Sequence, residues 1–160
     1  MAIIIAISTI INGCKKGDTG PAGTNGTNGN ANVSSTNFTI TSWSSDSIIW
    51  FTDLLVPALS SGVDTGDAIE VFFSADPPWF WSALPYTQID TNNYFMQFDL
   101  IIGEIVVKWF NKSNGHPINP NSYYHTNLQF KVVVIPPAMK RNDINLYNWT
   151  ELKNAYNLKD

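Results

Sequence analysis

A mostly β chain, folded as an antiparallel, immunoglobulin-like β-sandwich of about seven strands with a short C-terminal helix, is what this sequence predicts. Three observations predict it. Trp, Phe and Tyr make up 13% of the residues, and aromatic and β-branched side chains suit a pleated, half-buried surface. From Val33 onward, short runs of such residues alternate with polar ones and are punctuated by Gly, Pro, Asn and Asp at the spacing of a sandwich. Near the end the apolar period lengthens from two to about 3.6, as a helix requires.

Taken in chain order, residues 1–13, MAIIIAISTIING, carry no charge. The apolar stretch from Ala2 to Ile11 is about half of the roughly 20 residues that a membrane-crossing helix needs. It has the length of the apolar region of a secretory signal peptide, which is removed. Ile11-Asn12-Gly13-Cys14 then resembles the lipobox of bacterial lipoproteins: an aliphatic residue, a variable one, a small one, and the cysteine that is lipidated and becomes the new N-terminus. A small residue before the cut lets a peptidase approach the backbone, and the thiol is the nucleophile that takes the diacylglyceryl group. Cys14 is the only cysteine, so no internal disulfide can form, and in an exported protein another covalent use explains it best. With Lys15, Lys16, Gly17 and Asp18 beside it, burial of the thiol in a core would be costly.

Residues 14–32 carry glycine at 17, 20, 23, 26 and 29. Collagen needs glycine at every third position because only Gly fits at the axis of three wound chains. Five triplets with Pro21 alone lack the imino acids that stiffen such a helix, so a flexible, solvated tether is expected instead. About sixteen residues of such coil reach on the order of 20 to 25 Å. A monomer is expected, with a trimer left open.

Residues 33–160 form the sandwich domain. STNFTITSW sets Phe38 and Ile40 against Thr39 and Thr41, the period of a half-buried strand. DSIIWFTDLLVPAL puts Trp50, Thr52, Leu54 and Val56 on one face, and Pro57 ends that strand by removing a donor. SSGVDTGD is turn material. AIEVFFSA reads as a third strand and WFWSALPYTQI as a fourth, interrupted by Pro85. NYFMQFDLII and EIVVKWFN read as a hairpin around Gly103. NKSNGHPINPNSYYHTN reads as a long polar loop, leading to LQFKVVVIPP, the strongest strand signal in the chain. In NWTELKNAYNL, Trp149, Leu152, Ala155 and Tyr156 share one helical stripe, and Asn148 followed three residues later by Glu151 fits a capping box.

Composition narrows the function. The net charge is −4, and the basic residues are scattered apart from Lys15-Lys16 and Lys140-Arg141. No basic footprint for phosphates results, so nucleic acid is not an expected partner. His116 and His125 stand nine apart in a Pro- and Asn-rich segment, without paired cysteines or an H-E-x-x-H helix; both read as solvated loop residues. Asp64 and Asp67 lack the spaced acids of a calcium loop, and no serine sits in a G-x-S-x-G elbow. No catalytic residue, metal or cofactor is expected, and the chain is not read as an enzyme.

The recognition candidate is ADPPWFWSALPY, residues 75–86, with Trp79, Phe80, Trp81 and Tyr86 as weak ligand-binding residues. Three consecutive aromatics on a strand must point at least one large ring away from the core. Such a ring can stack on a sugar or a peptide proline, or be covered by the long loop or the terminal helix.

The order of lipobox, Gly-x-x triplets including GPAGTNGTNGNANV, and a strand-rich domain containing WSALPY, FKVVVIPP and YNWTELKNAYNL is similar to the small collagen-like-repeat lipoproteins of Bacteroidota. The similarity covers essentially the whole chain. It implies a lipid-anchored protein of the cell envelope and carries over no catalytic residue. Lys15 follows the cysteine where some bacteria use aspartate for inner-membrane retention, which favours the outer membrane. The expected function is a structural or accessory module that contacts another envelope protein, with a surface glycan-binding module using the Trp79 to Tyr86 segment as the alternative.

Overall fold

Period-two alternation resolves into two antiparallel sheets in the computed structural model, which describes residues 32–46, 48–59, 66–88, 93–111 and 117–159. The expected signal peptide, Cys14 and the glycine-repeat tether as far as residue 31 lie outside the described residues, as do Asp64 and His116. The strands are β1 (Ser34–Ile40), β2 (Ser44–Ser45), β3 (Ile49–Leu55), β4 (Ala68–Asp76), β5 (Phe80–Ala83), β6 (Tyr86–Gln88), β7 (Tyr94–Ile101), β8 (Glu104–Asn111) and β9 (Leu128–Ile135). Among the described residues two α-helices accompany them, α1 (Pro120–Tyr124) and α2 (Trp149–Tyr156), with single 3₁₀ turns at Pro57–Leu59 and Pro137–Met139. One sheet has the order β1-β9-β4-β5 and the other β2-β3-β8-β7-β6.

The sheets meet across a shared core. Val71, Phe73, Phe130 and Val132 enter it from the four-stranded sheet, and Leu54, Met96, Ile105, Val107 and Trp109 from the five-stranded one. In β8 the alternation is strict, with Ile105, Val107 and Trp109 fully buried between half-exposed neighbours. The predicted antiparallel sandwich is therefore present. It is immunoglobulin-like in its two packed sheets, but its connectivity is its own. β1 pairs along its whole length with β9, whereas an immunoglobulin constant domain sets its first strand beside its second.

β4 and β9 break the simple alternation because the four-stranded sheet is covered on both faces. Phe72, Val133 and Ile135 point away from the shared core and pack under Trp149, Leu152 and Tyr156 of α2. That second layer is why VFF and VVVI read as continuous apolar runs. The predicted helical stripe is the buried one, with Leu152 and Tyr156 at 0% and 2% exposure. Burying each such side chain stabilises by about 1.5 to 3 kcal/mol, enough to dock a helix of eight residues that would not hold alone in water. The N-cap half of the predicted box is present, with Glu151 N–H donating to the Asn148 side chain; the reciprocal bond is replaced, the Glu151 carboxylate accepting from Asn148 Nδ2 and from Asn145 N–H while Asn148 N–H donates to Asn145 O.

Two sequence expectations are corrected. WFWSALPYTQI is two strands in different sheets: β5 pairs with β4, the chain turns at Leu84-Pro85, and β6 pairs with β7. Pro85 has no N–H for a ladder, and Leu84 uses its own on Val71 O. This division and the two-residue β2 bring the strands among the described residues to nine rather than seven. The second correction lies in NKSNGHPINPNSYYHTN, which contains α1 rather than loop alone. Asn119 caps α1 by accepting from Asn121 N–H and Ser122 N–H, with Pro120 at its first position, a combination that pre-sets a helix start. His125 ends α1 at φ 56° and is exposed.

α1 closes one end of the sandwich. Tyr123 meets the edge of Tyr94 at 4.7 Å, and Tyr94 stacks on Trp109 at 4.7 Å. Asn121 joins three segments: its Oδ1 accepts from Trp43 Nε1 and Leu128 N–H, and its Nδ2 donates to Ile40 O and Asn127 Oδ1. The β7–β8 hairpin turns as predicted at Gly103, whose φ of 82° favours glycine. Gly103 N–H donates to Leu59 O, and its carbonyl accepts from Val56 N–H, so the turn is tied to the segment that Pro57 begins.

Candidate functional site

The β4–β5 connection decides which aromatics face solvent. Neither Pro77 nor Pro78 can donate to a ladder, and the pairing register shifts between Phe73 and Asp76. The turn is closed instead by Trp79 N–H donating to Asp76 O at 3.1 Å. Trp79 and Phe80 are left 77% and 72% exposed. Trp81, one residue on, points to the opposite face, where its ring lies 6.2 Å from that of Trp149 in α2.

Helix α2 supplies the other side. Just before its cap, Asn145 Oδ1 accepts from Tyr147 N–H, and Tyr147 stands 67% exposed. A solvent-open cleft of about 640 Å³ results, within the size range of small-molecule sites. Trp79, Phe80, Trp81, Tyr147 and Trp149 give it aromatic walls, and Asn145, Asn148, Thr150, Lys153 and Asn154 give it polar groups.

Its inner wall is fixed from behind. Lys131 of β9 is 1% exposed, and its Nζ lies 4.6 Å from the centre of the Trp81 ring and 4.4 Å from that of Trp149. A cation between two indole faces is attracted to both, the more so when desolvated. Phe72 meets Trp149 edge-on at 5.7 Å. Trp81 Nε1 is buried without an acceptor among the described residues, a donor that packing around the cation leaves unsatisfied.

Of the four candidates from the sequence, the structure brings Trp79, Phe80 and Trp81 to one cleft, with Trp81 covered as part of its wall. Tyr86 is elsewhere. It belongs to the five-stranded sheet, packs edge-on to Phe73 at 4.9 Å and donates its hydroxyl to Gln88 Oε1 at 2.7 Å. With Phe80 and Tyr124 it borders a separate depression of about 160 Å³. The division at Pro85 carried it there. Sequence reasoning missed Tyr147, Asn145, Asn148, Lys153 and Asn154 as site residues. Their signal was the polar side of α2 and the asparagines flanking its cap, which pattern alone assigns to solvent.

Among the described residues no carboxylate and no histidine lines the cleft, and no cluster of metal-ligating side chains occurs. The chemistry on offer is ring stacking, amide and hydroxyl hydrogen bonding, and one ammonium group. Comparison of the chain with protein-family models, curated proteins and solved structures returns no match.

Proposed function

We propose that this chain is a bacterial envelope lipoprotein, lipidated on Cys14 and tethered to the outer membrane by residues 14–32, whose sandwich domain binds glycans in the cleft between the β4–β5 turn and α2. Two solvent-facing rings at one cleft, Trp79 and Tyr147, carry the glycan reading, with exposed Phe80 at the edge between it and the neighbouring depression. Large exposed aromatics gathered in one place are characteristic of interaction surfaces. A pyranose offers them an apolar C–H face to stack on, and its hydroxyls match amides such as those of Asn145, Asn148 and Asn154. Support for the anchor comes from Ile11 to Cys14 and the single cysteine. No helix among the described residues is long and apolar enough to cross a membrane.

The test is binding of the purified full chain to a panel of bacterial and host oligosaccharides, with Trp79→Ala and Tyr147→Ala combined in one variant. Both rings are mostly solvated, so the variant keeps its thermal midpoint and loses at least tenfold in affinity. Unchanged affinity removes the cleft from consideration.

A second reading, an accessory module that contacts another envelope protein, is supported by a different surface. On the outer side of the five-stranded sheet, Phe51, Phe95 and Phe110 alternate with core residues and are half-exposed, and Leu55 and Ile102 are 69% exposed at one end. Crosslinking in cells to one reproducible protein neighbour, with no retention on polysaccharide, would favour it.

A further inference from the structure

We infer that two copies of this chain pair through the free edge of β1, in place of the monomer that the sequence leads one to expect. β1 closes one side of the four-stranded sheet, with β9 as its neighbour and no strand beyond it among the described residues. Alternate residues of a strand turn both backbone groups to the same side, so about half of the N–H and C=O groups of β1 face that open edge. Phe38 packs on the shared core and is still half-exposed, as a ring in an uncovered last strand would be.

Native sheets blunt such edges with short strands, bulges, prolines or charges. Among the described residues the other three edges follow that rule: β2 has two residues, β5 has four with a register shift against β4, and β6 has three directly after Pro85. β1 does not. It has seven residues in unbroken register with β9, and no proline or charged residue stands between Pro21 and Asp46. Asp46 itself is held in its own turn, accepting from Ile48 N–H and Ile49 N–H. Residues 41–43 join β1 to β2, so Ile48 in the β2–β3 turn, 64% exposed, stands on the same side of the sandwich.

The strand is its own complement. Antiparallel pairing about a two-fold axis at Asn37 sets Ser35 against Thr39 and Thr36 against Phe38 in both halves, so hydroxyls meet hydroxyls and no like charges face each other. Each copy brings one such edge, and pairing consumes both, so assembly stops at two. β5 lies at the far edge of the sheet. Both clefts therefore stay open, and the dimer gains avidity on any surface that repeats the ligand.

Sedimentation equilibrium of the purified full chain, from about 10 to about 500 µM, should show the mass rising reversibly from one chain towards two. Ser35 and Thr39 are exposed, so Ser35→Lys with Thr39→Lys, and separately Ser35→Glu with Thr39→Glu, set like charges across the edge and leave the thermal midpoint of the dilute protein in place. Each variant alone dimerises at least tenfold more weakly than the wild type; mixed one to one, the two dimerise again. Thr87→Lys, on the β6 edge, leaves the dimer intact. A single chain at every concentration, an oligomer that persists in the lysine pair, a mixture that fails to recover the dimer, or a dimer lost with Thr87→Lys overturns the inference.

Discussion

Glu70 is 8% exposed in the middle of β4, opposite Val133 of β9 and on the face that α2 covers. Burial raises its pKa from 4.5 to about 7, because taking a carboxylate out of water disfavours the charged form. The folded protein therefore holds this proton up to about pH 7, while the unfolded chain releases it near 4.5. Between those values the native state binds more protons, so stability falls as pH rises through the window and levels off above it. At 1.36 kcal/mol per pH unit the interval corresponds to at most about 3 kcal/mol. Glu70→Gln keeps the size and hydrogen bonding of the neutral acid and removes the titration. Urea denaturation at pH 5 and pH 8 should thus show the variant gaining up to about 3 kcal/mol on the wild type at the higher pH, with equal slopes. Parallel pH dependence in the two proteins would refute the reasoning. A variant that instead loses ground as pH rises would mean that Glu70 is ionised against Lys131, its diagonal neighbour on the same face.

Two other predictions concern the core and the anchor. Asn121→Ala leaves Trp43 Nε1 and Leu128 N–H without their acceptor, which should cost about 2 to 3 kcal/mol, read as a lowered urea midpoint with an unchanged slope; a loss below 0.5 kcal/mol (an order-of-magnitude threshold, roughly that of an ordinary surface change) would show that water replaces the amide. Cys14→Ser should move the protein from the membrane fraction to the soluble fraction of cells, and retention in membranes would rule out a lipid on Cys14.

Much of this fold was legible because periodicity is local. The stripe of Trp149, Leu152 and Tyr156, its Asn148 cap and the Gly103 hairpin each depend on residues within a few positions of one another, and each is found as read. What sequence could not carry was the assignment of faces and sheets. Pro85 announced an interruption, but whether the chain resumes in the same sheet or crosses to the other depends on which sheet its next partner, β7, has joined through β8 and β3, and Tyr86 was misplaced with it. Asn119-Pro120 was a helix start hidden in a segment whose polar composition spoke for loop. Lys131 gave the opposite difficulty: one cation inside FKVVVI looks like the solvent face of a strand, and only the docking of α2 turns that face inward and sets two indoles against the ammonium.

The cleft lies where the outer layer meets the β4–β5 turn. An α-helix of eight residues is about 12 Å long at 1.5 Å per residue, whereas the nine residues of β4 extend about 30 Å at 3.3 Å each. α2 alone spans less than half of that length, and Met139, Ile144, Leu146 and Leu158 complete the layer on the same face. Trp81 is covered by that layer, and the turn beyond it lifts Trp79 and Phe80 towards the start of the helix, where Tyr147 and the capping asparagines stand. The wall formed by Trp81 and Trp149 is held by Lys131 and by core packing, while the facing rings have few neighbours to hold them. A rigid wall opposite exposed rings is an arrangement that a planar, hydroxyl-bearing ligand can complete, and packing of the domain alone gives no reason for three large aromatics to remain in water.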